Sequence, residues 1–226
     1  MISYIGLSLL SIEPGTVPRN RREGTGRALL SAEARRILSQ FEGRPLAEED
    51  MAHEPQGRPF FPDRRDVSFN IAHSGTLAAV SYSGGGNLRT GCDVEQVRLR
   101  KSLREIAERF FSASENDYIF ARNGSAETRF FEIWTLKECY IKLRGISVGD
   151  MASVPSFIHN NAFAFGADVS LPLSFYLYEL SGSGTRYMLA AALEGADQQP
   201  PEIRWFSQPV LACSSIAVIK ANPPAT

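Results

Sequence analysis

Hydrophobic positions recur with two different periods along the 226-residue chain, and the period switches several times. In the opening segment MISYIGLSLL, Ile5, Leu7 and Leu9 fall on one side at a spacing of two, which predicts a strand. A loop rich in Pro, Gly and Arg follows, with Pro14, Pro18, Arg19, Arg21 and Arg22. The period then becomes helical from Gly26 to Phe41, where Ala28, Leu29, Ala32, Ile37 and Leu38 form an apolar side; Gly43 and Pro45 stop the helix. Residues 53–66 read as a loop around Gln56-Gly-Arg-Pro59. Three short strands come next, at 67–72, 76–83 and 88–95, with turns at Ser74-Gly75 and Gly84-Gly85-Gly86-Asn87. Their closeness in sequence predicts an antiparallel meander.

The next stretch is helical in three pieces: 101–110, 112–122 and a long run from Ser125 to Arg144. Ser112 and Ser114 suit the cap of the second piece, and Glu115 suits its first turn. Beyond Gly145 strands return at 162–169, 173–180, 186–194 and 202–206, and Asn222 to Thr226 form a frayed tail. The order predicts an α+β fold of two α/β halves with a joint near residues 96–101. No Pro/Ser-rich linker marks the joint, so the halves are expected to pack closely.

Composition narrows the field. With 43% hydrophobic and 22% charged residues the chain can bury a sizeable core. A formal net charge of -1 gives no global attraction to nucleic acid or to a membrane surface. Cys92, Cys139 and Cys213 are odd in number, far apart and without a CxxC, which suggests neither zinc nor a disulfide framework and fits a reduced, cytoplasmic setting. The first residues lack a basic n-region and a cleavage site, and no apolar run is long enough to span a membrane.

Two clusters of residues can carry chemistry. In Trp134-Thr-Leu-Lys-Glu-Cys-Tyr-Ile-Lys142, the fourfold spacing puts Trp134, Glu138 and Lys142 on one stripe of the long helix. Taken alone, Glu138 and Lys142 are an exposed ion pair worth a few tenths of a kcal/mol. In Gly91-Cys-Asp-Val-Glu95, Asp93 and Glu95 point to the same side of a strand, where two carboxylates repel unless a cation or water separates them. Either they are a solvated strand end or they hold a hard cation such as Mg²⁺, which takes one or two carboxylates with phosphate and water. His73, at a strand end, and Arg58, in a loop, have ordinary structural readings, but near a metal they would suit a phosphate clamp. Gly84-Gly-Gly86 is no P-loop, Ser74 lacks the Gly-x-Ser-x-Gly elbow, and His53, His73 and His159 lack metal-ligand spacing.

Four segments in order are Phe69-Asn-Ile-Ala-His-Ser-Gly75, Gly91-Cys-Asp-Val-Glu95, Phe110-Phe-Ser112 and Trp134-x-x-Lys-Glu-x-x-x-Lys142. Together they resemble the 4′-phosphopantetheinyl transferases, and specifically the larger Sfp-type members. The resemblance runs over roughly residues 26 to 195 and includes Gly57-Arg-Pro59. It implies two similar halves in pseudo-twofold arrangement, each with an antiparallel sheet and a long helix. They would span residues 1–97 and 98–226, with coenzyme A in the cleft between them, in a monomer. The implied reaction moves the phosphopantetheine arm of coenzyme A onto a serine of an apo acyl or peptidyl carrier protein, releasing adenosine 3′,5′-bisphosphate.

The same resemblance implies the roles. Asp93, Glu95 and Glu138 would hold Mg²⁺, while Arg58 and His73 hold the 3′-phosphate. Gly57 and Pro59 lie near the adenine. Lys142 neutralises the diphosphate, and Glu138 accepts the serine proton. Arg22, with Arg19, Arg21 and Arg27, is the candidate for further phosphate contacts. Ala72 departs from the pattern, since many relatives carry serine there. Cys92 and Cys139 also depart, and no catalytic role is expected for either thiol. A fold that binds coenzyme A and a carrier without turnover is the rival class; a metal-dependent phosphotransferase on another substrate is a third. Arg98, Arg100, Lys101 and Arg104 form a basic cluster that reads as either a solubilising face or a dock for an acidic carrier helix.

Overall fold

The computed structural model describes residues 2–10, 24–86, 89–122, 124–166, 170–195, 199–207 and 210–221. In chain order the elements begin with strand β1 (Ile2–Leu9), helix α1 (Gly24–Glu42) and the short strands β2 (Ala52–His53) and β3 (Pro59–Phe60). Next come β4 (Val67–Ser74), β5 (Leu77–Gly84) and β6 (Thr90–Gln96), then α2 (Leu103–Phe110), α3 (Ala113–Ile119) and α4 (Ala126–Arg144). After a 3₁₀ turn at Val148–Ser153 follow β7 (Ile158–His159), β8 (Ala162–Phe163), β9 (Leu173–Gly182), β10 (Thr185–Glu194), β11 (Glu202–Trp205) and β12 (Ala212–Ala221).

The fold is α+β. One four-stranded sheet has the order β11-β1-β5-β4, and the other has β12-β9-β10-β6. Pairing is antiparallel throughout both, except for the parallel β1–β11 pair. Side-chain alternation then builds layers. On the first sheet, Val67, Phe69, Val80 and Tyr82 pack against Ala34, Ile37 and Leu38 of α1. Its other face, with Ile5, Leu7, Ala72, Leu77 and Ala79, packs on Cys92, Val94, Tyr176 and Leu189 of the second sheet. The far face of the second sheet, with Phe175, Leu177, Met188 and Ala190, is covered by α4. The order is therefore α1, sheet, sheet, α4.

The three-strand meander expected at 67–95 does not form. The third strand, β6, leaves its neighbours and pairs with β10, from Thr90↔Leu193 to Gln96↔Tyr187. The reason is topological: β5 is flanked by β1 on one side and β4 on the other, so it has no free edge for β6. Instead β6 runs beside β4 in the same direction, bridged by hydroxyls rather than by a backbone ladder. The Thr90 N–H donates to Ser68 Oγ at 2.9 Å, and the Gln96 N–H donates to Ser74 Oγ at 3.0 Å. Each sheet thereby takes a strand from across residue 97: β6 joins β9, β10 and β12, while β11 joins β1.

Other expectations need smaller corrections. Of the strand expected at 162–169, Ala162–Phe163 pair with Ile158–His159 and 164–166 continue beside residues 156–157 without regular strand geometry, while 167–169 lie outside the described residues. The long strand β12 was not expected; its outer, largely exposed residues mix Cys and Ser with Ile and Val, which weakens the alternation. The frayed tail expected at Asn222 to Thr226 lies outside the described residues. Among the described residues no helix is long and apolar enough to cross a membrane.

Candidate active site

Helix α4 is positioned by its ends and by its close approach to β6. Ser125 caps the start by accepting the Thr128 N–H, and Gly145 closes the end in the left-handed region at φ 65°. The approach depends on Gly91: a Cβ there would lie 2.8 Å from the Cys139 carbonyl and 2.9 Å from the Leu143 Cβ. With no side chain in the way, the helix settles on the strand that carries the acids. Asp93 and Glu95 stand opposite Ala190 and Met188, and both of those face α4. Directly opposed residues share a face, so the two carboxylates lie on the α4 side, as the twofold spacing predicts.

Asp93 is 3% exposed. Its Oδ1 accepts a bond from Lys142 Nζ at 2.7 Å. Its Oδ2 has no hydrogen-bond partner among the described residues. Burial raises the Asp93 pKa, against the opposing effects of Lys142 and His73. Desolvation pushes the Lys142 ammonium down, but Asp93 and Glu138 more than reverse this, and its pKa lies above the ordinary lysine value. The helix stripe thus reads differently in place: Lys142 bonds to a carboxylate on β6, and Trp134 is buried under Phe130 and Phe111. Glu95 is partly buried, and the Ser74 hydroxyl donates to its Oε2 at 2.9 Å.

Asp93, Glu138 and Lys142 therefore converge, while Glu95 is tied to the β4 end. Among the described residues no three His, Cys, Asp or Glu side chains come close enough to enclose a metal. The donor set nonetheless fits a hard cation. A buried carboxylate oxygen without a partner offers one ligand, and ions of the Mg²⁺ type take only one or two carboxylates with phosphate and water.

Arg58 is not the mobile surface residue its loop suggests. It is 7% exposed. Its guanidinium donates to the Leu143 carbonyl (2.9 Å), Ser68 Oγ (2.8 Å) and the Thr90 carbonyl (3.2 Å), tying β4, β6 and the end of α4 together. Burial, followed by the nearby Arg89, lowers its pKa to about 10. It turns over a tight bend in which the Gly57 N–H donates to the Glu54 carbonyl at φ 88°, with Pro59 next in β3. A cavity of about 350 Å³ opens beside it, lined by Pro59, Phe60, Arg64, Arg65 and Arg89 among others. His73 lies elsewhere, exposed near the other end of β4. Ser68 and His73 are five residues apart, about 16 Å along the strand, so Arg58 and His73 are not brought together. Arg22, with Arg19 and Arg21, lies outside the described residues.

Sequence reasoning gave no role to Ser74, Arg89 or Lys137, although Ser74 and Lys137 lie inside the motif segments. Ser74 was legible only as a turn residue, and the burial of Lys137 cannot be read from a helix with charged neighbours. A larger cavity of about 570 Å³ lies on α1, and its arginines, Arg35, Arg36 and Arg44, are each paired with a carboxylate. Burial raises the pKa of the Cys92 and Cys139 thiols, which keeps both protonated.

An α+β scaffold that brings a buried acid, a second acid and an ammonium to one strand–helix contact has the chemistry that suits a charged ligand. The comparisons give that scaffold a family. Residues 89–178, which carry both β6 and α4, match the model of the 4′-phosphopantetheinyl transferase superfamily. The chain is 36% identical over 145 residues to the 4′-phosphopantetheinyl transferase AcpT of Escherichia coli, covering 64% of this chain and 68% of that protein. It is 28% identical over 194 residues to the 4′-phosphopantetheinyl transferase pptA of Paxillus involutus, covering 76% and 73%. It is 34% identical over 90 residues to the 4′-phosphopantetheinyl transferase Sfp of Bacillus subtilis, covering 39% and 38%. The chain belongs to the 4′-phosphopantetheinyl transferase superfamily, and it is an enzyme of that type.

Proposed function

We propose that the enzyme transfers the 4′-phosphopantetheine group of coenzyme A to a serine of an apo acyl or peptidyl carrier protein and releases adenosine 3′,5′-bisphosphate. The observation that carries the reading is the Asp93–Lys142 contact at the β6–α4 crossing, with one Asp93 oxygen left open. In this proposal Asp93, Glu95 and Glu138 would hold Mg²⁺, which would supply neutralisation of the charge that builds on the diphosphate oxygens. Lys142, already poised by Asp93, adds its ammonium to the same oxygens. Glu138 accepts the proton of the carrier serine as its oxygen bonds to the pantetheine-side phosphorus and the bond to the adenosine-side phosphate breaks. Alignment and charge matter more here than covalent assistance.

The arginine-lined cavity beside Gly57, Arg58 and Pro59 supports an adenine and ribose-phosphate site at that end, and His73 is proposed as the phosphate contact nearer Asp93. Arg22, which precedes α1 in the sequence, is proposed for further phosphate contacts. The two long helices, each 19 residues and each covering one sheet, support two halves in pseudo-twofold arrangement, with the division proposed near residue 97 and one strand exchanged each way across it. The enzyme is proposed to act as a monomer in the cytoplasm. The test is intact-mass spectrometry of apo carriers from fatty acid, polyketide and peptide pathways incubated with enzyme, coenzyme A and Mg²⁺. A gain of the phosphopantetheine mass on one carrier class is the expected result. Tight coenzyme A binding with no mass gain on any carrier would instead favour a binding protein.

A further inference from the structure

Helix α4 is apolar on nearly every side: Phe130, Phe131, Ile133, Leu136, Ile141 and Leu143 are all buried. Hydrophobic burial alone gives such a helix little preference for one rotation about its axis, because any face satisfies it. Polar contacts of α4 remove that freedom, and two of them flank Glu138 in sequence. One is Lys142 to Asp93, toward β6. The other is on Lys137, the residue before Glu138. Its side chain is 1% exposed, and Nζ donates to the Val154 carbonyl at 2.8 Å and lies 3.2 Å from Glu115 Oε2.

Glu115 is fully buried and has every contact it needs. Its Oε1 accepts the Phe157 N–H at 2.9 Å, and its Oε2 accepts the Ser112 N–H at 2.8 Å. The pair thus bolts α4 to the cap of α3 and to the segment leaving the 3₁₀ turn. Isolated from water, such a pair adds little net stability over apolar side chains of the same size. What it does supply is direction, since an ammonium and a carboxylate with fixed backbone partners fit in one orientation only.

We propose that Lys137 and Glu115 are positioning residues that set the rotation of α4, so that Glu138, about 100° further round the helix, meets the carboxylates of β6. This rests on the reading of Glu138 as a site residue. Neither Lys137 nor Glu115 is placed at the reacting atoms.

Lys137→Met alone would strand a buried carboxylate, so the informative variant is Glu115→Gln, Lys137→Gln, which removes both charges. The amide at position 137 keeps a donor and the amide at position 115 keeps one acceptor oxygen, so one of the two backbone N–H groups that Glu115 holds loses its acceptor. It should unfold cooperatively with a native near-ultraviolet spectrum. Its kcat should fall at least tenfold, while KM for coenzyme A and for the carrier stays within twofold. In a Glu138→Gln background the same double change should cost less than a further twofold, because the group it aims is already gone. A folded double variant with native kcat overturns the proposal, as does a loss that multiplies in full with Glu138→Gln. If the double variant does not fold, Glu115→Asp carries the test: it keeps the charge, draws it back by one carbon, and should lower kcat several-fold at unchanged KM. Native kcat in that variant overturns the proposal. Native turnover by Glu138→Gln alone would instead remove the site reading, and it is seen in the single variant before any network change is made.

Discussion

Asp93 and Arg58 show why single residues in this chain have two duties. Asp93 is an acid held out of water on the strand beside α4, and its stability depends on Lys142. Arg58 is a buried cation whose donors hold three backbone and hydroxyl oxygens. Removing it strands those oxygens, so Arg58→Ala should lower the unfolding free energy by about 2–4 kcal/mol, seen as a lower denaturant midpoint. The separation between Arg58 and His73 sharpens the phosphate assignment. One 3′-phosphate cannot sit on both. Calorimetry with coenzyme A and dephospho-coenzyme A should show discrimination of roughly tenfold or more in the native protein, since a charge-assisted bond is worth about 1.5–3 kcal/mol. His73→Ala should leave most of that discrimination intact if the arginine-lined cavity takes the 3′-phosphate. Loss of discrimination in His73→Ala would move the 3′-phosphate to the Asp93 end.

At the scale of elements, α4 and β6 carry the proposed site, and their contact was partly readable. The same-side pair Asp93 and Glu95 and the fourfold spacing of Glu138 and Lys142 follow from strand and helix periods. Gly91, read only as part of a motif, is what lets the two elements touch. The partnership of β6 was not readable, because local succession points to β5 while the chain pairs it with β10, nearly a hundred residues away. A second feature of α4 gives a pH test. Glu132 is largely buried and accepts the Tyr118 hydroxyl at 2.6 Å. Burial raises its pKa above 4.5, against the opposing hydrogen bond from Tyr118. A raised folded-state pKa means the folded protein holds this proton more tightly than the unfolded chain. The associated stability is present in full below the unfolded value and is lost as pH rises through the folded value. Glu132→Gln keeps the oxygen that Tyr118 binds and removes the charge. Its melting temperature should equal or exceed the native one at pH 7, and the difference should vanish near pH 4. A variant markedly less stable at pH 7 would show that the ionised carboxylate is favoured in place.

For the whole molecule, two sheets pressed together with a long helix on each outer face leave the seam between β4 and β6 as the line along which the proposed ligand groups are strung. In the proposed function the carrier approaches from one end of it. The basic cluster after β6 is not uniform: Arg100 lies over the Trp134 and Phe130 rings, and Arg104 lies over Phe120, whereas Arg98 and Lys101 are exposed beside Leu99. Reversing Arg98 and Lys101 to Glu should therefore raise the carrier KM several-fold without disturbing packing, leave the coenzyme A KM nearly unchanged, and flatten the salt dependence. Equal changes in both constants would make the cluster surface charge only. The family was legible because motif residues sit at fixed spacings. The layer order and the exchanged strands were not, because they depend on contacts between distant segments. The most direct test of the account is single-turnover transfer to an apo carrier by Asp93→Ala and Glu138→Ala in saturating Mg²⁺, with folding checked by circular dichroism. The account predicts native spectra and a loss of at least about a hundredfold, the scale of removing one electrostatic or proton-accepting group from a site. Near-native transfer by both variants would contradict it.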